Sequence, residues 1–177
     1  MSIIDYQDHI PVFGSNCYFG KNSLVIGQVR AGDDVSFWPS SVTRGDVNYI
    51  SIGNRTNIQD LSVLHCTHNS KYNPGGFPLI IGDDVTIGHH VNLHGCTIKD
   101  ACLIGIGAIV LDNCTLEKYT YIAAGSLVPP NKKLESGYLW MGNPIKKHRR
   151  LTEKEIEFIY YSAKHYVKLK NNYLVKG

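Results

Sequence analysis

The chain has 177 residues, of which 43% are hydrophobic and 19% charged, with 17 glycines and a formal net charge of +3. This composition excludes a disordered chain, a coiled coil and a highly charged nucleic-acid module. The charge is unevenly divided: residues 146–177 carry 9 Lys/Arg and 3 Asp/Glu, a net of +6, and the other 145 residues carry 9 and 12, a net of −3.

The opening stretch, MSIIDYQDHIPVFG, lacks a basic segment followed by an apolar one, and no apolar run nears the ~20 residues of a membrane span. The expectation is a cytoplasmic protein with no membrane partner. From Phe13 onward a residue of apolar type recurs every six positions, at Phe13, Phe19, Val25, Ala31 and Phe37, with Thr43 next in phase. Ile52, Ile58 and Leu64 form a second run. Residues 66–79 (CTHNSKYNPGGFPL) break the period and read as an excursion loop around Asn-Pro-Gly-Gly. Ile81, Ile87 and Leu93 resume it. One residue is then skipped before Ile98, Ile104, Val110, Leu116, Ile122 and Val128 hold phase without a miss. Position five of the hexad is small or β-branched, as at Cys17, Val35, Thr56, Val85, Val91, Cys102 and Cys114. Three of the five cysteines are thereby interior packing, and with no CxxC pair all five are expected to stay reduced.

A period of six is neither helical nor that of simple strand alternation. It fits an all-β solenoid with one short strand per side and three sides per coil, stacked at the ~4.8 Å spacing of paired strands. This is the signature of hexapeptide-repeat proteins, the left-handed parallel β-helix, here placed over residues 1–130. Residues 131–177 form a connecting segment and a C-terminal helix. Thr152 with Glu155 makes a capping box, with Leu151 and Ile156 placed as its hydrophobic staple. Ile156, Ile159, Tyr160, Ala163 and Val167 form the stripe that packs on the solenoid. Lys154, Lys164, Lys168 and Lys170 lie mostly off that stripe, so the basic tail reads as a solvated helix face and no nucleic-acid partner is expected.

Five of eight histidines sit mid-solenoid: His65, His68, His89, His90 and His94. With the loop counted as leaving the coil, Leu64, Ile81, Ile87 and Leu93 are successive sides. His65 and His94 then share a side one coil apart and converge on a candidate metal position. His89 falls on another corner, with Asp60 one coil below it. A threefold oligomer would bring His89 of a neighbour to the His65/His94 side. Three imidazoles with a fourth position left for water is the ligand pattern of a catalytic zinc site.

The residues Arg44-Gly45-Asp46, Asn57-Ile58-Gln59-Asp60, Leu64-His65 and Gly88-His89-His90-Val91-Asn92-Leu93-His94-Gly95 resemble the γ-class carbonic anhydrases and their bacterial relatives, over roughly residues 8–175. The resemblance implies a homotrimeric zinc lyase with metal ligands His65, His89 and His94, His89 coming from the adjacent subunit. It implies reversible hydration of CO2 to bicarbonate by metal-bound hydroxide. Arg44 and Asp46 match the family's inter-subunit ion pair, and Gln59 and Asp60 match the pair beside the metal-bound water. Tyr166, a better match than Tyr161, corresponds to a tyrosine brought near the metal. Fe2+ or Co2+ would also suit three imidazoles. Two glutamates of the best-studied members are missing: Val47 follows the RxD motif, and residues 66–79 contain no Asp or Glu. His68 or His90 becomes the expected proton relay. Alternative readings are a hexapeptide-repeat acyl/acetyltransferase using acyl-CoA, for which Gly142-Asn143-Pro144-Ile145-Lys146 is equally suited, and a non-catalytic trimeric metal-binding protein.

Overall fold

A computed structural model describes residues 2–175. Each hexad becomes one side of a parallel β-solenoid, and strands of two or three residues stack in register from coil to coil. The first face holds the start of Val42–Ile52, then Val63–His65, Asn92–His94, Ile109–Val110 and Leu127–Val128. The second holds the end of Val42–Ile52, then Leu79–Ile81, Thr97–Ile98, Thr115–Leu116 and Lys133–Leu134. The third runs from Tyr18–Phe19 through Ser36–Phe37, Asn57–Ile58, Thr86–Ile87, Leu103–Ile104 and Tyr121–Ile122 to Tyr138–Met141. Leu24–Ala31 and Val42–Ile52 continue round a corner, which joins the first two faces into one sheet.

The phase-keeping residues are the core. Ile58, Ile87, Ile104 and Ile122 form one inward stack, and Leu64, Leu93, Val110 and Val128 another, all fully or almost fully buried. At the N-terminal end, where the period uses aromatics, Phe19 stacks on Phe37 with centroids 5.3 Å apart and Phe13 meets Phe19 edge-on at 4.8 Å. Sulfurs at hexad position five point to the coil above. Cys102 Sγ donates to the Glu117 carbonyl at 3.3 Å and Cys114 Sγ to that of Pro129 at 3.1 Å. All five cysteines are free, and burial pushes the Cys66 thiol up to about 11 and Cys102 up to about 12, so neither is a nucleophile.

Three sequence expectations need correction. The solenoid does not stop at 130: Lys133–Leu134 and Tyr138–Met141 continue the parallel ladders. Pro129 and Pro130 follow Leu127–Val128, the last strand of the first face, so no further strand there needs their N–H groups. The excursion spans 66–78, because Leu79 already pairs with Ile50. Its neck is closed by a bridge between Thr67 and Phe77, and Asn48 Nδ2 donates to the Thr67 and Gly75 carbonyls at 3.1 and 3.2 Å. Lys170 is not solvated. Its ammonium is fully buried and donates to Asn16 O, Asp34 Oδ1 and Asn171 Oδ1, each at 2.8 Å.

The basic run Lys146–Arg150 forms an exposed antiparallel strand at the edge of the third face. Charge there blunts an edge that would otherwise invite pairing. The helix Glu153–Leu174 lies against this face, with Ser162 Oγ 3.0 Å from Thr86 Oγ1. Its capping box forms as expected, and Leu151 and Ile156 are both half-buried. Hydrogen bonds from Arg149 and from the Thr152 backbone hold the Glu155 carboxyl at about 2, against its usual 4.5. A depressed folded-state pKa gives a stabilisation that is complete above about 4.5 and lost as pH falls toward 2. Acid titration of unfolding stability should therefore fall less steeply over that window in Glu155→Gln, which starts lower at neutral pH. Identical pH profiles would contradict this.

Candidate metal centre

The first face builds the centre. In Val63–His65 and Asn92–His94 the buried Leu64 and Leu93 alternate with outward residues, and the register sets His65 beside His94. Thr43 pairs with Leu64, so the next residue, Arg44, lies beside His65 one coil earlier. Between Gly27 and Val29 the ladder advances two residues, while the partner strand advances five, from Gly45 to Ile50. The three extra residues bulge at the corner and carry Asp46 over His65.

His65 Nδ1 and His94 Nε2 stand 3.1 Å apart. The other ring nitrogen of each is committed to a carboxylate: His65 Nε2 to Asp46 Oδ1 at 3.0 Å, and His94 Nδ1 to Asp112 Oδ1 at 2.6 Å. An ionised carboxylate only accepts, so both neutral rings carry their N–H toward it. Each then presents a lone pair to the other. Two facing lone pairs repel unless a proton or a cation sits between them. A tetrahedral ion with bonds of ~2.0–2.1 Å spaces two ligand nitrogens by about 3.3 Å, close to the separation of this pair. Burial lowers the His65 pKa, and the Asp46 hydrogen bond opposes it only in part, which favours the neutral ring a metal needs. Burial alone would raise the Asp46 pKa, but hydrogen bonds from His65 and Arg44 hold it below the usual range. The donor set therefore fits a divalent cation.

One chain brings two such nitrogens together. Among the described residues no group of three His, Cys, Asp or Glu side chains is placed to hold a metal. His89 lies at the corner between the third and first faces, where its Nδ1 meets Asp60 Oδ2 at 2.8 Å, one coil away as the hexad count requires. That contact leaves Nε2 as the free nitrogen. Gln59, buried at the same corner, donates from Nε2 to Asn57 Oδ1 at 3.1 Å. Tyr166 reaches this corner from the helix, with its ring 5.4 Å from that of Trp38; burial and then the nearby Asp60 charge raise its pKa. The residues singled out in the sequence thus form two groups: Arg44, Asp46, His65 and His94 in one, and Gln59, Asp60, His89 and Tyr166 in the other. Arg44 Nη1 pairs with Asp46 Oδ2 of its own chain at 2.5 Å. His68 is exposed in the excursion loop, and His90 is exposed at the His89 corner with φ +56°.

Sequence reasoning missed three residues here. Asp112 and Thr67 contact His94, and Asn57 holds Gln59. Asn57 opens the Asn57-Ile58-Gln59-Asp60 segment with no role assigned to it and Asp112 lies in no named motif, but the hexad positions of both are countable and place them within one coil of the site.

Relatives settle the family. The chain is 54% identical to the Escherichia coli protein YrdA over 172 residues, covering 97% of this chain and 94% of that one. It is 42% identical to γ-carbonic anhydrase 2, mitochondrial, of Arabidopsis thaliana, over 95% of this chain and 60% of that protein. It is 39% identical to a carbonic anhydrase of Geobacillus kaustophilus, over 93% and 87%. The chain belongs to the γ-carbonic anhydrase-like family. Within this γ-carbonic anhydrase-like chain, residues 95–130 match the bacterial transferase hexapeptide (six repeats) family. A Bacillus cereus crystal structure bearing an acetyltransferase name superposes on it with a TM-score of 0.92 at 35% identity, over 99% of this chain and 98% of that one. No helix among the described residues is long and apolar enough to cross a membrane.

Proposed function

We propose that the protein is a γ-carbonic anhydrase-type enzyme that interconverts CO2 and bicarbonate, acting as a homotrimer with sites shared between neighbouring chains. The observation that carries this reading is the pair of opposed imidazole lone pairs, His65 Nδ1 and His94 Nε2 at 3.1 Å, each ring fixed by a carboxylate. A bound divalent cation, Zn2+ with Fe2+ or Co2+ as imidazole-compatible substitutes, would lower the pKa of water toward ~7 and supply a nucleophile at neutral pH.

The chain's own groups do the rest. His65 and His94 supply two ligands, and His89 of a neighbouring chain supplies the third, its Nε2 made available by the Asp60 contact at Nδ1. Gln59 spends one N–H on Asn57, which leaves its carbonyl oxygen and second N–H to orient water or a substrate oxygen. Tyr166 keeps its proton and serves as a donor at that corner. Arg44 holds Asp46, and through it the His65 ring, besides any contact it makes between chains.

A second reading, acyl or acetyl transfer from acyl-CoA, is favoured by the name of the Bacillus cereus structure and the transferase description of the hexapeptide match. A third, trimeric metal binding without catalysis, is favoured by Val47 and by a loop without carboxylates. Metal analysis of purified protein with stopped-flow CO2 hydration, using zinc and, anaerobically, iron, separates them. The proposal expects about one metal per chain and a hydration rate abolished by chelation. Metal-free protein that binds acetyl-CoA would replace it with the second reading, and loaded protein no faster than buffer would replace it with the third.

A further inference from the structure

The corners between faces carry a repeated device. At the second hexad corner of successive coils, Asp33 Oδ1 accepts from the Ser15 backbone N–H at 2.7 Å and Asn54 Oδ1 from Asp33 N at 2.8 Å. Asp83 Oδ1 accepts from Asn54 N at 2.8 Å, and Asp100 Oδ1 from Asp83 N at 3.0 Å. Each stands two positions after an inward residue, Ala31, Ile52, Ile81 or Ile98, and just before a left-handed residue, Asp34, Arg55, Asp84 or Ala101. Each caps a backbone donor of the preceding coil. These are structural carboxylates and amides.

Asp112 occupies the same hexad position, two after the inward Val110 and just before left-handed Asn113. It does not follow the pattern. Its Oδ1 takes the His94 Nδ1 proton at 2.6 Å, and its Oδ2 takes the Thr67 hydroxyl at 2.9 Å. Both partners are side chains, one on the metal face and the other in the neck of the excursion loop, next to the Thr67–Phe77 bridge. The approach depends on Gly95. A Cβ there would lie 2.5 Å from Asp112 Oδ1 and 2.8 Å from Phe77 Cβ. Gly14, Gly32, Gly53 and Gly82 stand in the same relation to Asp33, Asn54, Asp83 and Asp100, so the room for the oxygen belongs to the repeat, and what sets Asp112 apart is its two side-chain partners.

We infer that Asp112 is a positioning residue that fixes the tautomer and ring angle of His94 for metal binding, and that through Thr67 it ties the excursion loop to that ligand. This rests on the proposed reading of His65 and His94 as metal ligands. With the His94 proton held at Nδ1 by a carboxylate, the lone pair at Nε2 is permanently directed at His65 Nδ1. Loss of such an outer carboxylate typically costs 10–100-fold in metal affinity.

The test is Zn2+ affinity by chelator competition, with apo-protein thermal stability as a second readout, in wild type, Asp112→Asn, Asp112→Ala and Asp100→Asn. Asp100→Asn is the matched structural control. The expected result is zinc binding weakened about tenfold or more in both Asp112 variants and unchanged in Asp100→Asn, whatever each substitution does to apo stability. Asp112 variants binding zinc as tightly as wild type would overturn the inference while leaving the metal reading intact. So would an Asp100→Asn loss as large as theirs. Wild-type protein binding no more zinc than a His65→Ala, His94→Ala double variant would overturn both.

Discussion

His94→Ala should bring CO2 hydration down to the buffer background and leave the protein without tightly bound zinc, while the protein stays folded. The ring is partly exposed and contributes no inward packing; Leu93 does that. What it contributes is one of two lone pairs aimed at a common point. Removing it leaves His65 Nδ1 and, on the proposed reading, one imidazole from a neighbouring chain, and two imidazoles hold a divalent cation far more weakly than three. The substitution also removes the His94 Nδ1 hydrogen bond to Asp112 Oδ1 at 2.6 Å, but that carboxylate is 29% exposed and open to water. The melting temperature of the metal-free protein is thus expected to fall only slightly, as for the loss of one hydrogen bond worth about 1 kcal/mol. A variant that unfolds, or that retains zinc and activity, would contradict the assignment.

Asp34→Ala should destabilise the protein by about 3 kcal/mol, and Lys170→Met by clearly less. The asymmetry follows from exposure. The Lys170 ammonium has no access to water, so removal of Asp34 leaves a buried charge with only the Asn16 carbonyl and the Asn171 amide oxygen. Removal of Lys170 leaves a carboxylate that is 31% exposed and an exposed Asn16, both of which water can reach. Burial alone would raise the Asp34 pKa, but hydrogen bonds from Lys170 and Asn16 hold it below the usual carboxylate range. Its contribution is therefore complete above that range and fades as pH falls below it. Urea unfolding at neutral pH ranks the two variants, and a larger loss for Lys170→Met would refute this account. The pair also has a functional side, since it anchors the end of the helix that carries Tyr166.

Much of this is legible in the sequence because the hexad is a counting device. A residue's number fixes its face and its coil, so the His65–His94 pair, the separation of His89 and the Asp60–His89 contact all follow from phase once the loop is excluded. Counting fails where the chain departs from the period. The three extra residues after Gly45 carry Asp46 onto His65, and no phase argument places them. Lys170 lies beyond the sequence for another reason. Helical periodicity assigns a lysine to solvent unless its acceptors are known, and two of its three belong to residues 16 and 34, more than 130 positions away. The solenoid boundary placed at 130 falls after the last strand of the first face, where Pro129 and Pro130 stand, yet the other two faces continue beyond it. Asp112 is countable but silent, since its role appears only when its contacts are set beside those of Asp33, Asp83 and Asp100.

On the proposed reading, a working site takes His65 and His94 from one chain and His89 from another. Co-expression of His89→Ala and His94→Ala chains tests this most directly. Each variant alone should be inactive. In randomly mixed trimers about a quarter of the interfaces pair an intact His65/His94 face with an intact His89 corner, so about a quarter of wild-type CO2 hydration and bound zinc should return. Mixed protein as inactive and as zinc-free as its parents would contradict a shared site.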